Sequence, residues 1–356
     1  MLDRTIFIKQ LQEKSHLIHP PEQIEILSRL RAIWNRVAND PQWCTTIAKK
    51  IPGLPVHTTE ALNNVVPLTT TQDPHTVIGV DGSQIYPDRH EGTDLFLINI
   101  GTITCTYGPH SAAHYASIPE LYTSTPWDEH LDTIDAINSL RHDRELATLI
   151  ESTKLPSPLY TLTDGSLLFW HLEAYTEPIR TILLTRYIHY LQQLAEAKTP
   201  IAGYISAPKS RDIVTLLRAE NPSLQATTDA HLLHTLVPVG YRTPLFTCTS
   251  TFAREYPPAV RPVIFYVNTG SEISRIEIPA WLAENGPLRT QFECILYSQI
   301  LKGAGYPIAL SEAHECAVIR GADRDFFYYM LDKISIQMGI TRTISSKLRK
   351  KQISFI

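Results

Sequence analysis

Paired cysteine is the first thing this chain lacks. Its five cysteines, Cys44, Cys105, Cys248, Cys294 and Cys316, are widely spaced and contain no CxxC pair. An odd, scattered set argues against a complete disulfide framework and against a structural zinc site built from Cys pairs. It fits a reducing compartment. No stretch approaches the ~20 apolar residues needed to span a bilayer, so no membrane partner is expected. Met1 to Lys14 mixes charged and apolar residues and does not read as a signal peptide. The expected location is therefore cytoplasmic. A GxxxxGK[ST] loop is missing too, so the chain should not hydrolyse ATP itself. HExxH is also missing. His110 and His114 have the spacing of a zinc-binding helix, but the glutamate is absent and Gly108-Pro109 precedes them. Cys105 has no patterned His or Asn partner, which argues against a thiol nucleophile.

Excess charge is small. The formal net charge is −4, whereas nucleic-acid binders often carry a basic balance. Carboxylates that hold metal ions would cancel basic residues elsewhere, so the sum does not exclude nucleic acid. Of the 356 residues, 43% are hydrophobic and 19% charged, which fits a globular protein with a sizeable core. The length suggests two domains, or one large domain with additions.

Along the chain, residues 5–50 read as helical with a break at Pro20-Pro21, and 51–75 as a Pro- and Thr-rich connector. Thr76 to Val80 reads as a buried strand, Leu95 to Thr106 as a second, and residues 110–118 as a third. Residues 129–152 have helical composition. Leu159 to Thr163 and Ala202 to Ser206 read as strands, with helices over Glu177 to Ala197 and Asp212 to Ala219. A hairpin is expected at Val263–Val267 and Arg275–Ile278 around Asn268-Thr269-Gly270. Helices follow over 288–302, 308–319 and 323–337. The pattern predicts an α/β or α+β fold with a mixed sheet.

A repeated word carries the chemistry. Val80-Asp81-Gly82-Ser83 and Thr163-Asp164-Gly165-Ser166 each follow an apolar strand. The reading places each Asp where a strand leaves the sheet, with Gly turning the chain. Ligands gather beyond strand ends in open α/β sheets. If the two strands are parallel neighbours, the carboxylates converge on hard cations such as Mg²⁺ or Mn²⁺. Two such ions can activate water and stabilise the leaving oxygen of a phosphodiester. Asp-Gly is also a common turn dipeptide, so each copy alone fits an ordinary turn. Later, Tyr306-Pro307 opens a helix on which Leu310, His314, Ala317 and Val318 share one face. That puts His314 on the inward side, as a core histidine, a metal ligand or a proton donor.

The two DGS words, a carboxylate on the helix between them, Leu167 behind the second and the Tyr-Pro…Ala-His helix stand in the order found in the NurA nucleases. From about residue 75 to 325 the chain resembles that family. The resemblance implies an α/β fold with an RNase-H-like core, a mixed central β-sheet flanked by helices, and N-terminal and C-terminal helical extensions. It divides the chain into a helical segment at 1–50 for dimer or partner contacts, a connector at 51–75, the nuclease domain at 76–325, and a C-terminal helix and tail at 326–356. It implies Mn²⁺-dependent DNA cleavage with two ions per site (Mg²⁺ as a substitute), homodimerisation, and partnership with the hexameric ATPase HerA in DNA end processing. By position, Asp81, Glu145, Asp164 and His314 match the metal and catalytic residues, and Tyr306 the tyrosine before the late helix. Asp143 and Glu151 are alternatives to Glu145, and Arg141 with Glu145 also reads as a surface i,i+4 pair. Lys209 and Arg211 match a basic position that could hold DNA phosphate, or are solvated charges at a helix start. Arg275 to Pro279 resembles a late family strand. The tail, Lys347 to Lys351 and then Ile353 to Ile356, could touch DNA or a partner. The competing reading is a catalytically silent adaptor of a HerA-like ATPase. A carboxylate-based sugar hydrolase has no supporting motif.

Overall fold

The computed structural model describes residues 2–15, 21–51, 53–88, 93–123, 133–156, 158–177, 179–225 and 227–339. In chain order, helices α1 (Arg4–Glu13), α2 (Pro21–Val37) and α3 (Trp43–Lys50) precede short strands β1 (Val56–His57) and β2 (Val66–Pro67). Three long strands follow, β3 (His75–Ile85), β4 (Phe96–Tyr107) and β5 (Ala112–Tyr122). Then come α4 (Thr133–Ser152), β6 (Leu159–Asp164), α5 (Ile179–Glu196), β7 (Ile201–Ile205), α6 (Asp212–Arg218) and α7 (Asp229–Leu233). Strands β8 (Tyr241–Arg242), β9 (Phe246–Cys248), β10 (Pro262–Asn268) and β11 (Ile273–Pro279) lead into α8 (Ala280–Glu284), α9 (Gly286–Lys302), α10 (Ile308–Ala317) and α11 (Gly321–Gln337).

Among the described residues the chain forms two compact units. One is Met1–Thr69 with Ile205–Ala283. Its strands are antiparallel: β10 pairs with β11, β9 and β8, β9 with β1, and β8 with β2. The expected hairpin is there, with Phe265, Ile276 and Ile278 fully buried. A closed polar network stiffens it. Arg275 donates to Glu277 (2.8 Å) and to Asp212, and the Tyr266 hydroxyl donates to Asp229 (2.7 Å). Asp229 in turn accepts the backbone N–H of Asp212 and Val214, which anchors the start of α6.

The other unit is Thr70–Tyr204 with Glu284–Ile356. Its strands run in the order β5-β4-β3-β6-β7. β3, β4 and β5 are antiparallel neighbours, whereas β6 is parallel to β3 and β7 parallel to β6. This is the mixed sheet flanked by helices expected of an RNase-H-like core. Its buried strands are rich in Val, Ile and Leu, as double-sided coverage demands.

One expectation needs correction. The first DGS does not leave the sheet. Asp81, Gly82 and Ser83 pair with Gly101, Ile100 and Asn99 of β4, so β3 continues through them. The parallel pairing with β6 ends at Val80 and Thr163, while the antiparallel pairing with β4 runs on to Ile85. The turn signal of Asp-Gly is overridden because β4 offers a hydrogen-bonding partner. The second DGS behaves as read: β6 ends at Asp164, and Gly165 has φ +107.

Side chains alternate across β3, and helices lie against both faces. Residues 79, 81 and 83 face α10, where Cβ atoms on Gly79 and Gly101 would sit 2.3 Å from the backbone of Ala309 and Ala317. Ala309, Ala313 and Ala317 form a small-residue ridge along α10 and are fully buried. Glycine on the strands and alanine on the helix thus let the two backbones touch. Gly82 faces the opposite side, where a Cβ would meet Glu145 Oε1 at 2.5 Å and Arg141 Cγ at 2.8 Å on α4.

His110 lies in the turn before β5 and His114 within β5, so their spacing is not that of one helical face. All five thiols are free. Among the described residues no helix is long and apolar enough to cross a membrane. Residues 347–356, the basic and apolar tail, lie outside the described residues.

Candidate functional site

Asp81, Glu145, Asp164, Tyr306 and His314 all belong to the mixed-sheet unit. Asp81 and Asp164 stand on adjacent parallel strands, each one residue past the last Val80–Thr163 pair. Asp164 is reached by solvent, yet its pKa is raised, first by desolvation and then by the charge of Asp81, with Glu145 adding to it. Tyr306, just before α10, hydrogen-bonds Asp164 and opposes that rise. Burial and the two aspartates push the Tyr306 phenol well up, so it stays a donor. Its ring meets Tyr204 edge-on at 5.1 Å, and Tyr204 donates to the Gly305 carbonyl at 3.1 Å.

His314 Nδ1 lies 2.7 Å from Asp81 Oδ2. Sequence periodicity put His314 on the inward face of its helix, but its side chain is 62% exposed. The alanine ridge takes the inward positions and rotates His314 to the rim, over Asp81. The helix end is tied down: Ser83 Oγ donates to the Ala317 carbonyl, and Asn99 Nδ2 donates to Ala317 (2.8 Å) and Cys316 (3.2 Å). Each residue of the first DGS therefore has a separate task. Asp81 carries the carboxylate, Gly82 makes room for Glu145 and Arg141, and Ser83 holds the helix that bears His314.

Glu145 is buried, which removes the surface-pair reading. Arg141 Nη1 donates to Glu145 Oε1 at 2.5 Å and to the Gly82 carbonyl at 3.2 Å, while His142 Nδ1 stands 3.3 Å from Glu145 Oε2. Burial alone would raise the Glu145 pKa, but His142 and Arg141 outweigh it and leave it lowered. Asp143, the alternative, is ion-paired with Arg186 of α5 at 2.5 Å, and Glu151 is exposed. Lys209 and Arg211 are exposed at the start of α6. They belong to the other unit and are not among the residues gathered around Asp81.

Sequence reasoning missed Ser83, Asn99, Gly79 and Gly101 as parts of the site's frame. Glycine inside an apolar strand was the available signal, since it marks close backbone approach. Asn99 gave none.

A model of the NurA domain matches residues 75–319. The chain belongs to the NurA family. The NurA nuclease of Sulfolobus solfataricus has a similar fold, with TM-score 0.57 at 12% identity over 95% of this chain and 98% of that one. Endonuclease V of Ciona intestinalis bound to DNA (TM-score 0.34, 12% identity, 78% of this chain and 94% of that one) also matches. So does the catalytic domain of human Endonuclease V (0.31, 13%, 88% and 99%). No curated protein sequence matches the chain.

Whether the NurA-fold site suits a divalent metal turns on its donors. Among the described residues no three His, Cys, Asp or Glu side chains are grouped to hold an ion as they stand. Both oxygens of Glu145 are engaged by α4 neighbours. The chemistry nevertheless fits. Asp81 and Asp164 are adjacent hard-oxygen donors, and the charge of Asp81 helps to raise the Asp164 pKa, a rise that a cation between them would reverse. A ligand role for Glu145 requires it to turn from Arg141 and His142.

Proposed function

We propose that the chain is a divalent-metal-dependent deoxyribonuclease that hydrolyses phosphodiester bonds. The observation that carries this reading is the pair Asp81 and Asp164, side by side where the parallel pairing of β3 and β6 ends, with His314 on one and Tyr306 on the other. Family membership supports it, as does the fold shared with a protein described as a nuclease. In this reading Asp81 and Asp164 hold Mn²⁺ (two ions, Mg²⁺ substituting) and Glu145 and His314 complete the set. Bound ions would activate water and offset charge on the leaving oxygen. The chain's own groups do the rest. Asp81 takes His314 Nδ1, so Nε2 is the nitrogen left to face an ion, and Asp81 sets the orientation of the ring. Tyr306 holds Asp164 in place by donating to it. Lys209 and Arg211 contact DNA phosphates.

The reading includes partners. Helix α1 has no buried residue, and Ile6, Phe7, Ile8 and Leu11 stand exposed on it. On α11, Phe326, Tyr329, Ile334 and Ile336 are exposed as well. Apolar surface of this kind supports association. We assign α1 to a homodimer contact, and the N-terminal and C-terminal segments to docking on a HerA-type hexameric ATPase during DNA end processing. A net charge of −4 gives little long-range pull on DNA, so unaided binding is weak and falls with salt.

The test is cleavage of end-labelled linear DNA with Mn²⁺ or EDTA, alone and with a HerA-type ATPase and ATP. Metal-dependent cleavage that Asp81→Asn and Asp164→Asn each abolish is expected, with faster cleavage when the motor runs. Wild-type protein that leaves DNA intact in Mn²⁺ with the motor present would support the silent adaptor instead. A motor that binds but leaves the rate unchanged would remove the coupled part of the reading.

A further inference from the structure

Beyond Asp81, β3 runs on to Ile85, and the chain continues without regular structure through Tyr86 to Asp88. There it borders an open cleft of about 410 Å³, whose other wall carries Arg320 and Arg324 at the start of α11. We infer that this cleft holds the backbone of a polynucleotide strand beside the scissile position, with the two guanidiniums on phosphate oxygens. The inference rests on the nuclease reading above.

Position is the first argument. Gln84, on the cleft, lies three residues along β3 from Asp81. At about 3.3 Å per residue that is roughly 10 Å, the reach of the next few nucleotides. Arg320 likewise follows His314 closely, across the end of α10. A strand cut at Asp81 and Asp164 must leave the site in some direction, and this cleft is continuous with the strand that carries Asp81.

Charge is the second. Arg320 pairs with Glu315 (side chains 73% and 61% exposed) and Arg324 with Asp88 (54% and 26%), each at 3.2 Å, so both guanidiniums face solvent. Exposed pairs of this kind hold weakly, so a phosphate that binds a guanidinium through two oxygens can displace them. The third argument is the wall. Gln84 Nε2 donates to the Tyr86 hydroxyl at 2.8 Å, and that hydroxyl donates to Asn138 Oδ1 at 2.7 Å. Tyr86 is thereby held among the residues that line the cleft, where an aromatic side chain offers a base a stacking partner.

The experiment measures binding of a fluorescent oligothymidylate to the full chain in EDTA across a salt series. Each lost phosphate contact on single-stranded DNA lowers the log–log salt slope by about 0.7. Arg320→Gln with Arg324→Gln should therefore lower it by about 1.4, with unchanged melting. Arg29→Gln, an exposed arginine on α2, should leave it as in the wild type. An unchanged slope and affinity in the double variant overturns the inference. Competition by thymidine monophosphate as strong, per phosphate, as by the oligonucleotide also overturns it, because the cleft would then be a mononucleotide site. Metal-dependent hydrolysis of bis(p-nitrophenyl) phosphate, too small to reach the cleft, is the separate arm. Loss of it in the double variant places the arginines at the scissile position and refutes a flanking role. Wild-type inactivity on both this diester and DNA counts against the nuclease reading, while the salt slope still decides the cleft.

Discussion

Replacing Gly101 by alanine adds one methyl group to β4 directly across from Asp81, and by lifting α10 it should disable the site. The new Cβ would stand 2.3 Å from Ala317 N, 2.4 Å from Ala313 O and 2.7 Å from Cys316 C. All three are backbone atoms of α10 or its end, so no side-chain rotation relieves the clash. Carbon contacts are comfortable near 3.5 Å, and α10 must therefore back away by about 1 Å. The His314–Asp81 bond at 2.7 Å would then stretch past the ~3.5 Å at which a hydrogen bond ends. Overpacking of this kind costs about 1–3 kcal/mol, which at roughly 2–4 °C per kcal/mol lowers the melting temperature by roughly 2–12 °C. The assay pairs differential scanning fluorimetry with Mn²⁺-dependent cleavage at a temperature where the variant remains folded. Gly286→Ala, with nothing within 4 Å of the added Cβ, is the matched control and should change neither readout. Ala313→Gly should not rescue the Gly101 variant, since the obstacle is the carbonyl. Wild-type melting and wild-type cleavage in Gly101→Ala would refute the claim that α10 is seated directly on the strand.

Further outcomes follow from the charges. Asp164 has a raised folded pKa, so its contribution to stability is present below the ordinary carboxylate range and is lost as pH rises through the folded value. Asp164→Asn should therefore melt higher than wild type in metal-free buffer at neutral pH, with the gap closing in acid, while losing cleavage. Glu145 has the opposite sign: its lowered pKa means stability present above the ordinary value and lost as pH falls through the folded one. Glu145→Gln should melt lower at neutral pH and approach wild type in acid. Mn²⁺ should raise the melting temperature of wild type and leave Asp81→Asn unmoved, since only a competent site links binding to folding. Light scattering should show a dimer at micromolar concentration that weakens when residues 1–15 are removed, and an unchanged assembly would take α1 out of the contact.

Much of the mixed-sheet unit was legible in the sequence because its signals are local. Apolar strands such as Thr76–Val80 and Leu159–Thr163, and the helices α4, α5, α9, α10 and α11, announce themselves by composition and period. Their ends fall within a few residues of the expected ones. What escaped depends on partners distant in the chain. Asp81-Gly82 reads as a turn until β4 is known to lie alongside and keep it extended. His314 shares an apolar face on a helical wheel, but the face that packs is set by Gly79 and Gly101, more than 200 residues upstream, which accept only alanine. Glu145 looks like half of a surface ion pair with Arg141, and only the missing Cβ of Gly82 shows why both can lie against β3. The short strands β1, β2, β8 and β9 are two or three residues long, too short for any periodicity to register.

The central claim is that Asp81 and Asp164 together hold the catalytic cation. Anomalous diffraction at the manganese edge, from crystals of the full chain grown in Mn²⁺, tests it most directly. The expected result is a peak within coordination distance of a carboxylate oxygen of both aspartates, with Glu145 turned away from Arg141 and His142, and loss of that peak in Asp164→Asn. A fully occupied manganese site elsewhere, or none at a concentration that supports cleavage, would contradict it.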